Sequence, residues 1–126
     1  MLSDRICVFE SLSWNLVHAE VVDEIMGYEI PVRAKYIRVL MAELTRLQSR
    51  LIWIGAISLE AGLYTVFKLA IGYRDLILGL FEAVTGARVY PAGYVRPGGV
   101  RWDLPRGFSA RCPEVLDKVG ALLTSL

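Results

Sequence analysis

Glu60 interrupts a stretch that is otherwise apolar from residue 51 to residue 67. A carboxylate in such a run is either buried and partnered or marks a functional cavity, unless it stands at the wet end of a helix near the break at Gly62, capping or pairing with a neighbour. The two thiols, Cys7 and Cys112, lie far apart with no C-x-x-C spacing and no His/Cys cluster. Neither a disulfide framework nor a zinc ribbon can be built from them, so reduced thiols are the expectation and Cys7 reads as a small buried residue. His18, the single histidine, falls near the polar border of a helical pattern, where an imidazole is more often a surface residue than a ligand. Arg88, Arg96, Arg101, Arg106 and Arg111 gather late in the chain, with Tyr90, Tyr94 and Trp102 among them as stacking surfaces. No regular element presents these in a row, so phosphate binding is a weak reading and a solvated loop a better one.

Composition limits what these groups can be asked to do. The chain has 126 residues, 55% of them hydrophobic and 21% charged, enough to build a core and inconsistent with intrinsic disorder. Net charge is +1, so the chain as a whole is not a polycation made for nucleic acid or membrane surfaces. The start, Met1-Leu2-Ser3-Asp4-Arg5, has no basic segment followed by an apolar run, and no secretory signal is expected. Mean hydropathy is high, at +0.45, and residues 51–72 are long enough to span a bilayer. That stretch carries Glu60, Lys68 and internal glycines, however, so it is expected to be a helix buried in this chain's core or against another subunit.

The elements that must position these groups are helical. Leu12, Leu16, Ala19, Val22 and Ile25/Met26 recur at three and four, with Gly27 as a stop. Pro31 is placed as a first helical residue, and Ala34, Ile37, Leu40, Met41, Leu44, Leu47, Leu51 and Ile54 form a stripe over seven turns. Arg38, Glu43, Arg46 and Arg50 are assigned to its polar face, with Glu43 and Arg46 spaced to pair. A third helix is predicted over 63–85, with Val66, Phe67, Ala70, Ile71, Ile77, Leu80, Phe81 and Val84 inward and Gly86 as its stop; Gly72 and Gly79 within it each cost roughly 1 kcal/mol unless something packs there. Residues 87–111 hold three prolines, four glycines and five arginines and predict an ordered loop or short hairpin, followed by a closing helix over 113–123. The expected fold is all-α: residues 1–126 as a single helical domain, an antiparallel bundle with one long Arg/Gly/Pro-rich loop.

The run Pro31-Val32-Arg33-Ala34-Lys35-Tyr36-Ile37-Arg38, continued by Ala42-Glu43-Leu44, Arg46 and Leu51-Ile52-Trp53-Ile54-Gly55, resembles the large subunit of membrane-bound nickel-iron hydrogenases and its descendant, the D subunit of NADH-quinone oxidoreductase (respiratory complex I). Phe81-Glu82, Val84-Thr85-Gly86-Ala87-Arg88 and Gly98-Gly99-Val100-Arg101-Trp102-Asp103-Leu104-Pro105 match the same family in the same order. The relatives are several times longer, so the chain corresponds to the early part of their central helical core: a truncated or split gene product, or a piece of a larger assembly.

In the hydrogenases of this family a pair of cysteines at the start of the first helix, with a second pair near the C-terminus, holds nickel and iron. Here Arg5-Ile6-Cys7-Val8-Phe9-Glu10 keeps one thiol, has Glu10 at the second position and Trp14 where a histidine would fall. One thiol and one carboxylate cannot hold that metal pair, so no bound metal is expected. In the complex I branch the resemblance implies a quinone channel, where a tyrosine and a histidine hydrogen-bond the quinone head group and an aspartate pairs with the histidine. The tyrosine position falls on Val8, which has no hydroxyl, and the aspartate on Glu60 of Leu59-Glu60-Ala61-Gly62, which keeps the acid.

The resemblance therefore implies a fragment-like homologue of the quinone-site core subunit of a complex I-like or hydrogenase-like redox complex, structural or pocket-lining and not catalytic alone. Glu60, Val8 and Cys7 are the pocket candidates. Arg88, Arg96 and Arg101 are candidates for contact with a neighbouring iron-sulfur subunit through Arg-carboxylate pairs. Quinone belongs to the assembled complex, and NAD and iron-sulfur clusters only to partner subunits. The partners implied are iron-sulfur and membrane subunits, self-association through uncovered apolar faces is expected, and nucleic acid is not. The implied location is cytoplasmic, peripheral to the inner face of the cell membrane. The rival reading is a stand-alone soluble helical adaptor, or a degenerate hydrogenase large-subunit remnant, without redox activity.

Overall fold

The computed structural model describes residues 2–91 and 93–125. After a 3-10 turn (Ser3–Arg5) come α1 (Ser11–Met26), α2 (Val32–Glu60), α3 (Tyr64–Thr85), a two-stranded antiparallel hairpin of β1 (Val95–Arg96) and β2 (Gly99–Val100), and α4 (Phe108–Ser125). The all-α expectation holds, with the hairpin inside the arginine-rich connection.

Local chemistry sets the ends of the first three helices. Gly27 and Gly86 take left-handed φ values of 66° and 77° and close α1 and α3 where side-chain-bearing residues would be strained. Pro31, with φ −54° and ψ 139°, immediately precedes α2 and is not its first residue. Gly62, at φ 77°, breaks residues 51–72 into the end of α2 and the start of α3. The two helices then run antiparallel: Gln48 meets Arg74 and Gly55 meets Ala70. Among the described residues no helix is long and apolar enough to cross a membrane.

The closing helix differs from expectation. α4 begins at Phe108, after Gly107 at φ 82°, so Pro113 lies inside it. Its missing N–H removes one bond, which would have gone to the Ser109 carbonyl, and Ser109 is exposed to water.

The core lies between α1, the first two thirds of α2, the second half of α3, the hairpin and α4, with Leu12, Met41, Leu51, Ile77, Leu80, Tyr94, Val95 and Val119 almost wholly buried. Ile25 and Met26, expected inward, are exposed. α2 is about 43 Å long against about 24 Å for α1, and α1 runs beside it only from the level of Gln48, which bonds the Phe9 carbonyl, to that of Arg38, which bonds Asp23. Past Leu51, α2 packs against α3, with Gly55 facing Phe67, Ala70 and Ile71. Between residues 52 and 76 the buried residues are Gly55, Ser58 and Ala70, all small, while Trp53, Ile57, Leu63, Tyr64 and Leu69 are exposed. The α2–α3 tip is a two-helix arm, and the expectation of a helix buried over 51–72 does not hold within this chain.

Candidate functional site

Residues 6–10 carry the chain from the 3-10 turn into α1. Cys7 is half-buried and Val8 and Phe9 are exposed. Glu10 accepts a hydrogen bond from Ser13 Oγ at 2.8 Å across the first turn of α1, so its carboxylate is used locally. Beneath this segment Gln48 donates from Nε2 to the Phe9 carbonyl and accepts at Oε1 from Arg74 Nε at 3.1 Å. Burial lowers the Arg74 pKa, an effect that the adjacent Asp75 charge partly offsets. Arg5 lies over the Tyr90 ring, 4.4 Å from its centroid, and ties the turn to the long connection.

Glu60 is the last residue of α2 and is exposed. The alternative in which it is buried within this chain falls, because the arm leaves the end of α2 open on the sides that α1 and α4 do not reach. Among the described residues its carboxylate forms no hydrogen bond or ion pair, with Cys7, Val8 or any other residue. Twelve residues, or about 18 Å of helix axis, separate it from Gln48, where the segment bearing Cys7 and Val8 is attached. The structure therefore places Cys7 and Val8 at the level of Gln48 and Glu60 at the far end of α2, and does not bring the three pocket candidates together. A nickel-iron centre does not fit these residues: Cys7 has no second thiol beside it, Cys112 is buried in the core on α4, and among the described residues no group of three or more His, Cys, Asp or Glu side chains could hold an ion.

The long connection is ordered by its own chain. Arg88 pairs with Asp75 and Glu82 of α3, both at 2.5 Å. Arg33 on α2 donates from Nε to both oxygens of Asp103 at 3.0 and 2.8 Å. Arg101 lies over the Trp102 ring at 4.6 Å, and Arg96 Nε donates to the Gly93 carbonyl at 3.1 Å. The partners of Arg88, Arg96 and Arg101 that can be named are thus intramolecular, although all three side chains remain exposed. Tyr94 is almost wholly buried and donates to the Trp102 carbonyl at 3.1 Å; burial, helped by the Asp103 charge, pushes its pKa up to about 12.

Arg38 corrects the sequence reading most sharply. Assigned to a polar face, it is buried. Its Nη1 donates to Asp23 Oδ2 at 2.7 Å, its Nε to the Gly99 carbonyl at 3.0 Å and its Nη2 to the Arg96 carbonyl at 2.5 Å. Asp23 Oδ1 accepts from the Gly98 amide at 2.5 Å, so one buried ion pair holds the hairpin turn to α1 and α2. Burial pushes the Asp23 carboxyl up, but the Gly98 amide and the Arg38 guanidinium outweigh it and the net shift is downward. The spacing carried the signal: Ala34, Arg38, Met41, Thr45 and Gln48 follow at four, three, four and three on one face. Glu43 and Arg46 pair at 2.6 Å as expected.

The model of the family "Respiratory-chain NADH dehydrogenase, 49 Kd subunit" matches residues 60–126. The D subunit of NADH-quinone oxidoreductase from Geotalea uraniireducens is 43% identical over 116 residues, covering 92% of this chain and 30% of that protein. Its counterpart from Citrifermentans bemidjiense is 44% identical over 116 residues, with the same shares of 92% and 30%. Among solved structures, a chain of the membrane-bound sulfane sulfur reductase, an archaeal respiratory membrane complex, superposes with a TM-score of 0.87 at 38% identity, over 99% of this chain and 35% of that one. The chain thus spans about 30% of the length of the curated relatives it matches. On sequence and on fold alike, it belongs to the family of the 49 kDa subunit of respiratory-chain NADH dehydrogenase.

Proposed function

We propose that this chain is the helical segment of a quinone-site core subunit in a membrane-associated redox complex, that residues 1–126 act as one helical domain, and that it lines a quinone pocket without being catalytic alone. The observation that carries this is the outward placement of Val8 and Glu60, on a chain similar over nearly its whole length to the D subunits of NADH-quinone oxidoreductases. Side chains that lined a pocket enclosed by this chain would be buried in it; these lie at the surface, where other parts of the subunit can complete a cavity. Val8 offers a quinone only apolar contact, so the donor to a quinone carbonyl comes from outside this segment. Cys7 and Val8 line one end, and Glu60 orients or charge-balances a proton-carrying group at the other. NAD and iron-sulfur clusters sit on partner subunits, which Arg88, Arg96 and Arg101 meet with their exposed edges. The assembly is peripheral, on the cytoplasmic face.

The test is quinone-dependent turnover of the assembled complex with Glu60→Gln, read beside the thermal midpoint of the 126-residue chain. The expected result is reduced turnover with an unchanged midpoint. Unchanged turnover favours the adaptor reading, in which Glu60 is an exposed helix-end residue worth at most about 1 kcal/mol.

A further inference from the structure

Gln48 is 4% exposed in the middle of α2, and a long amide in such a place has to be matched at both its donor and its acceptor end. The partners come from two different elements: the Phe9 carbonyl before α1, and Arg74 on α3. Among the described residues, the backbone of residues 7–9 has no backbone hydrogen-bond partner, and the Gln48 amide is what fixes it. Arg74 makes one side-chain hydrogen bond among the described residues, and it goes to Gln48. Arg74 is half-buried and hydrogen-bonds no carboxylate among the described residues, Asp75 acting on it only by its charge, yet it fixes the amide's orientation: with Oε1 facing α3, the donating NH2 must face Phe9.

We infer that Gln48 and Arg74 form a relay that positions residues 7–9, so that α3 sets, through α2, where Cys7 and Val8 stand. Among the described residues neither hydrogen-bonds those side chains; both act through the Phe9 carbonyl. The functional consequence rests on the pocket-lining reading above, whereas the positioning does not.

The chain carries its own gauge, a half-buried Cys7 in the positioned segment and a buried Cys112 in the core. In the 126-residue chain, labelling of both thiols by a maleimide is followed for wild type, Gln48→Glu, Arg74→Met and Arg74→Lys. Gln48→Glu keeps an acceptor for Arg74 but loses the donor to Phe9. It should speed Cys7 labelling about fivefold, the value of one net hydrogen bond, and leave Cys112 slow. Arg74→Met should give a smaller acceleration, which Arg74→Lys partly reverses. Cys7 labelling unchanged in both Gln48→Glu and Arg74→Met overturns the relay, as does equal acceleration of Cys7 and Cys112 in Arg74→Met, which would report general loosening. Faster Cys7 labelling in Gln48→Glu with unaltered quinone turnover in the assembled complex supports the relay and removes the pocket-lining reading instead.

Discussion

Breaking the Asp23–Arg38 pair should cost more stability than any surface substitution in this chain. The two side chains are 6% and 4% exposed, so solvent screens them little, and removing one leaves the other charged and buried. Such a break costs about 3–5 kcal/mol. At roughly 2.1 cal/mol/K of unfolding entropy per residue, this lowers the thermal midpoint of a 126-residue chain by about 11–19 °C. Arg38→Met also deprives the Arg96 and Gly99 carbonyls of their donor, and Asp23→Ala deprives the Gly98 amide of its acceptor. The double replacement Asp23→Leu/Arg38→Met should therefore be less harmful than the sum of the single changes, keeping a residual cost of about 1–3 kcal/mol from the orphaned backbone groups. The pH dependence has a definite sign. Asp23 has a lowered pKa in the folded chain, so its contribution is present above the ordinary carboxylate value near 3.9 and is lost as pH falls through the folded value. Wild type should lose stability more steeply than Asp23→Asn below about pH 4. Circular dichroism melts and urea titrations at several pH values measure both effects. A midpoint drop of less than about 3 °C in Arg38→Met, or parallel pH profiles for wild type and Asp23→Asn, would refute the reasoning.

Gly55 faces Phe67 and Ala70 at ordinary contact distance, 3.5 and 3.6 Å from where a Cβ would stand, so Gly55→Ala should be neutral or stabilising by up to about 1 kcal/mol, while Gly55→Leu should cost about 1–3 kcal/mol in a chemical melt. Elemental analysis after anaerobic purification should find no stoichiometric nickel or iron; about one nickel per chain would contradict the ligand argument. The 126-residue chain should self-associate and bind a hydrophobic dye through Trp53, Ile57, Tyr64 and their neighbours, and a clean monomer without dye binding at high concentration by light scattering would count against this.

The helices are legible in the sequence because their ends are local events. Gly27 and Gly86 stop α1 and α3 at the residues that the spacing marks, since only the backbone at that position decides the left-handed turn. Sequence pattern places α4 five residues late because Pro113 looks like a start, whereas Gly107 and Phe108, which set the true one, lie in a stretch whose glycines and prolines mask a period. Arg38 shows the limit of reading by residue type: its charge assigns it to the surface, and its spacing from Ala34 and Met41 assigns it to the interior. Its partners lie 15 residues upstream and about 60 downstream, beyond the reach of local pattern. The same holds for Arg33 with Asp103 and for Gln48 with Phe9. Glu60 is visible as an anomaly because composition marks it, but the choice between its two readings needs the end of α2 to be seen unaccompanied.

The arm formed by the end of α2 and the start of α3 bears on the order in which the molecule opens. Its fully buried residues are only Gly55, Ser58 and Ala70, with Phe67 and Ile71 against Gly55 but partly open to water, whereas the base holds Met41, Leu51, Ile77, Leu80 and Phe81. Amide hydrogens near Gly62 should therefore exchange through local fraying at a small fraction of the global unfolding free energy, and those around Leu44 and Leu80 only when the whole chain unfolds. Protection along α2 should fall progressively from Leu51 towards Glu60, so that the candidate carboxylate sits on the part of the molecule most easily reshaped by whatever packs against it.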